Sequence, residues 1–176
     1  MYTHSDSLAW YAIRTRSRHE KLVNQQLVAR GLEAFLPLVN RRRRWQDRYK
    51  VVSFPVFPCY CFARFRLAER LSILTSIGVV QILGINGLAT PIPDPEIDAV
   101  KQLVTSTLPF DPHPYLSAGM EVEVIRGPLD GVRGILVRKG RRARLVITIH
   151  LIRQAASVEL DADDVKLVRS PVLHSR

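Results

Sequence analysis

Three prolines within six positions, Pro109, Pro112 and Pro114, interrupt this 176-residue chain and decide how the rest can be organised. Proline has no amide donor and clashes with the preceding helical turn, so no helix can run through the stretch. The segment 105–117 is therefore read as an extended linker between two small domains, 8–104 and 118–170. The pattern changes across it. Five of the nine glycines fall between Gly119 and Gly140, where each would cost a helix about 1 kcal/mol relative to alanine.

On the N-terminal side, residues 9–15 are rich in aromatic and branched side chains and predict a strand. Ser17 and Glu20 stand in capping-box spacing, which predicts a helix over 18–30 with Leu22, Val23 and Leu27 inward and Gly31 ending it. Residues 33–38 return as a strand, stopped by Pro37 and the basic run beyond it. Residues 43–65 read as a hairpin or meander, with strands over 49–54 and 56–65 that Pro55 and Pro58 confine to an edge or bulge. A helix is expected over 67–77, with Leu67, Leu71, Leu74 and Ile77 on its inner face. A strand over 79–83, a turn at 84–87 and a helix opened by Asp94-Pro95 complete this half. That helix carries Ile97, Val100, Leu103 and Val104. The order predicts an α+β fold, an antiparallel sheet flanked by helices. Beyond the linker, strands are expected over 120–125, 132–138, 144–151, 157–160 and 165–168, a small all-β barrel.

The charge is unevenly spread. Residues 1–50 hold eleven Lys/Arg against four Asp/Glu, residues 51–118 four against five, and residues 119–176 eleven against seven. The net of +10 therefore sits at the two ends and points to a polyanionic partner, most often nucleic acid. The densest run is Arg41, Arg42, Arg43 and Arg44, followed by Trp45, Arg48, Tyr49 and Lys50. Adjacent like charges cannot be buried together, so the run is placed on a surface loop or strand end. It is either a solvated turn or a nucleic-acid contact in which guanidinium groups hold phosphate and rings stack on exposed bases.

Several function classes are set aside. No apolar run is long enough for a membrane-spanning helix, and the polar residues 1–7 lack the regions of a secretory signal, so a cytoplasmic protein with no membrane partner is expected. Cys59 and Cys61 supply too few ligands for zinc; strand alternation would place both on one face as packed thiols. The five histidines show no ligand or triad spacing, and Asp161, Asp163 and Asp164 lack the glycine turn and distal glutamate of a calcium loop. No enzyme, metal or cofactor is expected.

Taken together, Trp10-Tyr11-Ala12-Ile13, Arg18-His19-Glu20-Lys21, Phe35-Leu36-Pro37, Phe57-Pro58-Cys59-Tyr60 and Gly78-Val79-Val80 resemble the N-terminal domain of NusG-type transcription factors. Gly119-x-x-Val122-x-Val124, Gly127-Pro128-Leu129, Gly134-Ile135 and Val158-Glu159-Leu160 look like that family's KOW barrel. The stretch from Ile147 to Glu159 is most similar to the UpxY-like and LoaP-like specialised paralogues related to RfaH.

The resemblance implies a non-enzymatic, monomeric elongation and antitermination factor. Its N-terminal domain would dock on the RNA polymerase clamp helices through an apolar depression formed by Trp10, Phe57, Pro58 and Tyr60. Arg14, Arg16, Arg18, Arg41, Arg42, Arg43, Arg44 and Arg48 would line a rim facing upstream or non-template DNA. The family pattern has glycine where this chain has Cys59, so a slightly different bend is expected there.

The barrel would recruit a small-subunit ribosomal protein or Rho through Ile149 and His150. His150 replaces the usual aromatic, and the following loop is longer than in housekeeping NusG. The β-branched run Val146-Ile147-Thr148-Ile149 predicts a barrel that stays β rather than refolding to a helical hairpin as in RfaH. The competing reading is a ribosome-associated KOW-type RNA-binding protein using Arg138, Lys139, Arg141, Arg142 and Arg144.

Overall fold

The computed structural model describes residues 7–46, 48–113, 119–139 and 142–169. The chain divides into two compact units, 1–94 and 95–176.

The first unit is built on a four-stranded antiparallel sheet of β1 (Ala9–Thr15), β2 (Glu33–Phe35), β5 (Tyr60–Phe65) and β6 (Val79–Ile82), in the order β2-β5-β1-β6. Alternation along β1 and β5 sends Tyr11, Ile13, Cys61, Ala63 and Phe65 to one face. There they meet Val23 and Leu27 of α1 (Glu20–Ala29) and Ile73 of α2 (Arg70–Leu74), and the Tyr11 and Phe65 rings lie 4.7 Å apart. Trp10, Ala12 and Phe62 occupy the opposite face and are also buried.

The capping box does not form. His19 is the N-cap, Arg18 takes φ +64, and α1 starts at Glu20. Glu20 turns inward instead of capping, for a reason found in the turn before β5. Leu22 is exposed, because the buried stripe follows Val23 and Leu27. The helix expected over 67–77 is shorter: a 3₁₀ turn at Leu67–Glu69 precedes the five residues of α2. The tighter winding rotates the inner face onto Ile73, which leaves Leu71, Leu74 and Ile77 exposed. Gln26 of α1 braces the loop that follows, its Oε1 accepting from the Ile77 N–H at 3.0 Å and its Nε2 donating to the Ile77 carbonyl at 2.9 Å.

Two two-stranded sheets also lie in this unit. β3 (Leu38–Trp45) and β4 (Arg48–Pro55) form a separate two-stranded sheet, so the arginine run lies within a strand and not in a loop. The strand expected over 33–38 breaks at Leu36 and Pro37, which separate the end of β2 from the start of β3. β7 (Gly84–Ile85) and β8 (Leu88–Ala89) pair across the turn at Asn86-Gly87, both residues at positive φ.

The second unit holds α3 (Asp94–Thr105) from Pro95 onward and a six-stranded antiparallel sheet. Its strands are β9 (Phe110–His113), β10 (Met120–Val124), β11 (Arg133–Lys139), β12 (Arg142–Ile149), β13 (Gln154–Leu160) and β14 (Val165–Arg169), in the order β14-β10-β11-β12-β13-β9. Part of the segment read as linker is thus a strand, with Pro112 tolerated because β9 is an edge; residues 114–118 lie outside the described residues. Residues 154–156, read as loop, pair with β12, which leaves a connection of only 150–153. Val146, Ile147, Thr148 and Ile149 are all in β12.

Candidate functional site

The β3–β4 ribbon is the most cationic element described. Directly opposed residues share a face in an antiparallel pair, so Arg41, Arg43 and Trp45 lie with Val52, Lys50 and Arg48 on one side. Arg42 and Arg44 lie with Val51 and Tyr49 on the other. Opposing Arg43 and Lys50 repel, and neither face packs on a core beyond the ribbon base. An isolated two-stranded ribbon is marginal in water, so the base must be held. Val56 N–H donates to the Pro37 carbonyl at 2.9 Å, Ser53 Oγ to Asn40 Oδ1 at 2.6 Å, and Lys21 Nζ of α1 to the Ser53 carbonyl at 2.9 Å. Half-buried Leu38, Val39, Phe54 and Pro55 fill the same end.

Along the ribbon, three cations lie over rings. Lys50 Nζ is 5.3 Å from the Trp45 centroid, Arg42 Cζ 6.0 Å from Tyr49 and Arg43 Cζ 4.9 Å from Phe54. Trp45 is 60% exposed and Tyr49 68%. Among the described residues no carboxylate pairs with Arg42, Arg43 or Arg44.

Arg14, Arg16 and Arg18 are exposed where β1 ends and α1 begins. Arg14 stands opposite Tyr60, and Arg16 N–H donates to the Gly78 carbonyl at 2.8 Å. Gly78 has φ +93, and a Cβ there would come within 2.8 Å of the His19 Cβ, so only glycine lets this junction close. Lys21 links the same end of α1 to the ribbon base.

The proposed aromatic depression is corrected for two of its members. Trp10 is 2% exposed and Phe57 1%; both are walled inside. The cause is local: β1 alternation turns Trp10 onto the same buried face as Phe62, and Phe57 packs edge-on against the Phe62 ring at 6.1 Å. Pro58 is exposed and Tyr60 half-buried, so these two present the turn to solvent.

The bend of that turn matches what glycine would give. Cys59 takes φ +66, Tyr60 N–H reaches the Phe57 carbonyl at 3.3 Å, and Thr15 N–H donates to the Cys59 carbonyl at 2.8 Å. Glu20 Oε1 accepts the Cys59 N–H at 2.8 Å, which is why this carboxylate points inward. Cys59 lies in the turn and Cys61 in β5, so the two thiols are not a packed pair on one strand face. Burial, with the Glu20 charge adding to it, pushes the Cys61 thiol up to about 12. Among the described residues no three His, Cys, Asp or Glu side chains are grouped to hold a metal.

In the second unit Ile149 is fully buried and His150 exposed. Glu96 of α3 meets His150 twice, its Oε2 accepting the backbone N–H at 3.0 Å while Oε1 lies 2.9 Å from Nδ1. Gln102 Nε2 also donates to the Pro128 and Asp130 carbonyls. Arg144 is held by Glu159 at 2.9 Å and Arg133 by Glu123 at 2.8 Å. Arg138, Lys139 and Arg142 sit at the paired ends of β11 and β12, and Arg141 lies outside the described residues.

The model of a protein family described as transcription termination factor nusG matches residues 8–101, which run through the first unit into α3. The chain belongs to the NusG family. A structure of Thermotoga maritima NusG superposes with a TM-score of 0.56 at 19% identity, covering 93% of this chain and 98% of that one. Two conformations of the MjSpt4:Spt5 complex align over 92% of this chain at 18% and 16% identity, covering 99% and 98% of those chains, with TM-scores of 0.33 and 0.28. No curated protein matches by sequence.

NusG-family membership makes the chain one of a family of transcription factors, and the shared fold agrees with the mixed helices and antiparallel strands described above. Among the described residues no helix is long and apolar enough to cross a membrane. Reasoning from residue pattern missed Glu20 as the anchor of the 57–60 turn and Glu96 as the partner of His150. Glu20 was masked by its capping-box spacing, and Glu96 carries no local signal because its partner is 54 residues away.

Proposed function

We propose that this NusG-family chain is an elongation factor that docks on the RNA polymerase clamp helices, suppresses pausing or termination, and recruits a second partner through its KOW-like unit. The observation that carries the reading is the ribbon: six cations, Arg41 to Arg44, Arg48 and Lys50, on both faces of one hairpin tied at its base to α1 of a NusG-type domain. Phosphate contacts of this kind position a protein on nucleic acid without reading sequence. Together with Arg14, Arg16 and Arg18, the ribbon would contact upstream or non-template DNA.

Clamp contact is assigned to the outer side of the 57–60 turn. Pro58 and Tyr60 touch the polymerase there, while Trp10 and Phe57 support them from beneath. Partner recruitment by a ribosomal protein or Rho is assigned to the strand end at Ile149 and His150. The Ile147–Glu159 stretch supports a specialised, UpxY-like or LoaP-like role. The ribosomal RNA-binding alternative is weakened by Arg144, whose guanidinium is already engaged by Glu159.

The test is a single-round pause assay with purified RNA polymerase and the full chain. The chain should shorten pauses, and a Pro58→Ala/Tyr60→Ala variant should need about 10- to 30-fold more protein for the same effect, the scale of losing an interface anchor. A variant as potent as the parent, or a parent with no effect on pausing, would overturn the assignment.

A further inference from the structure

We infer that the β3–β4 ribbon grips single-stranded nucleic acid, with Trp45 and Tyr49 as stacking platforms on its opposite faces. The inference rests on the nucleic-acid reading of the ribbon given above and specifies its ligand. Charge alone would suit any polyanion, since duplex and single strand both offer phosphates. The rings discriminate. Trp45 and Tyr49 are among the most exposed large hydrophobic side chains of the described residues, and they sit beside the tip of the most cationic element.

A duplex presents groove edges and phosphates along its length, and its base faces are stacked on one another. A ring pressed into a groove would lose water without gaining a flat partner. An unpaired base has a free π-face, and stacking on an aromatic side chain is tolerant of base identity.

The arrangement also orients the rings. Lys50 lies over Trp45 and Arg42 over Tyr49, so each ring has a cation across one side and keeps exposed surface for a base. The same cations remain within reach of the phosphates that flank a stacked base. Because alternation puts Trp45 on one face and Tyr49 on the other, a strand that rounds the tip meets a ring on either side. Neither ring nor guanidinium reads the sugar, so the shared chemistry is an unpaired base with its phosphates, in DNA or RNA.

The chain contains two tryptophans, Trp10 and Trp45, and Trp10 is 2% exposed. Quenching of tryptophan emission by a bound base therefore reports on Trp45. The full chain is titrated at fixed salt with a 15-nucleotide oligo(dT), a 15-nucleotide oligo(U) and a 15-base-pair duplex. The single strands should quench the emission and bind at least about tenfold tighter than the duplex, and the two sugars should separate less than that.

Trp45→Leu should abolish the quench and weaken single-strand binding by about 5- to 100-fold, with an unchanged circular dichroism spectrum and unchanged polymerase binding. Tyr49→Leu should weaken it by a similar factor while the quench persists. Duplex binding as tight as the single strands, or undiminished single-strand binding by both variants, would overturn the inference. If the duplex alone binds, the ribbon still serves nucleic acid and only the stacking assignment falls. If neither form binds, the DNA-contacting role proposed above falls with it.

Discussion

At the scale of single residues, the turn before β5 depends on two side chains that compensate for each other. Cys59 occupies a left-handed conformation that costs a non-glycine residue about 1 kcal/mol or more, and the Glu20 carboxylate holds its amide there. Glu20→Ala removes the acceptor from a part-buried N–H. It should destabilise the first unit by about 1–3 kcal/mol in urea denaturation. Cys61 supplies a pH signature. Its folded-state pKa, pushed up to about 12, exceeds the value of 9.0 for a free thiol. Above pH 9 the unfolded chain loses this proton and the folded chain keeps it, so the unfolded state binds fewer protons. Stability should then fall as pH rises, by about 1.4 kcal/mol per unit from this group until its folded pKa is reached. Comparing the parent with Cys61→Ala between pH 8.5 and 10.5 isolates that slope. A parallel pair of curves would refute the assignment.

At the scale of elements, the ribbon predicts a change in salt dependence. Each lost phosphate contact lowers the slope of log affinity against log salt by about 0.7 to 0.9. Replacing Arg41 to Arg44 with alanine should therefore flatten the slope by up to about 3 for a bound nucleic acid, measured by fluorescence anisotropy across a salt series. Phe57→Ala tests the opposite kind of position. As a buried ring it should cost about 3–5 kcal/mol of folding stability, where an exposed docking anchor would cost almost none.

The elements differ in how far residue pattern revealed them. β1, β5 and α3 were legible because a concentration of aromatic and branched residues, or a cap signal, coincides with burial. The segment 67–77 was not, because it opens with a 3₁₀ turn and its inner face falls on Ile73 in place of Leu71 and Leu74. The arginine run was legible as surface, and a strand end was one of its two placements; its full pairing with 48–55 was not, because four adjacent like charges carry no alternation of apolar and polar residues. Trp10 was legible as a strand residue, while the side of the sheet it faces depends on register.

At the scale of the whole molecule, the net charge of +10 is not spent evenly. In the second unit Glu123 and Glu159 neutralise Arg133 and Arg144, whereas Arg42, Arg43 and Arg44 of the first have no carboxylate partner among the described residues. Nucleic-acid binding by the full chain should thus respond to ribbon substitutions far more than to Arg133→Ala or Arg144→Ala, which should change affinity by less than about twofold in the same anisotropy assay. The Glu96–His150 contact bears on the other end of the proposed activity. A newcomer wishing to bond that strand end would first evict a carboxylate, so recruitment there is a swap of one acceptor for another, and its strength is set by the difference between them.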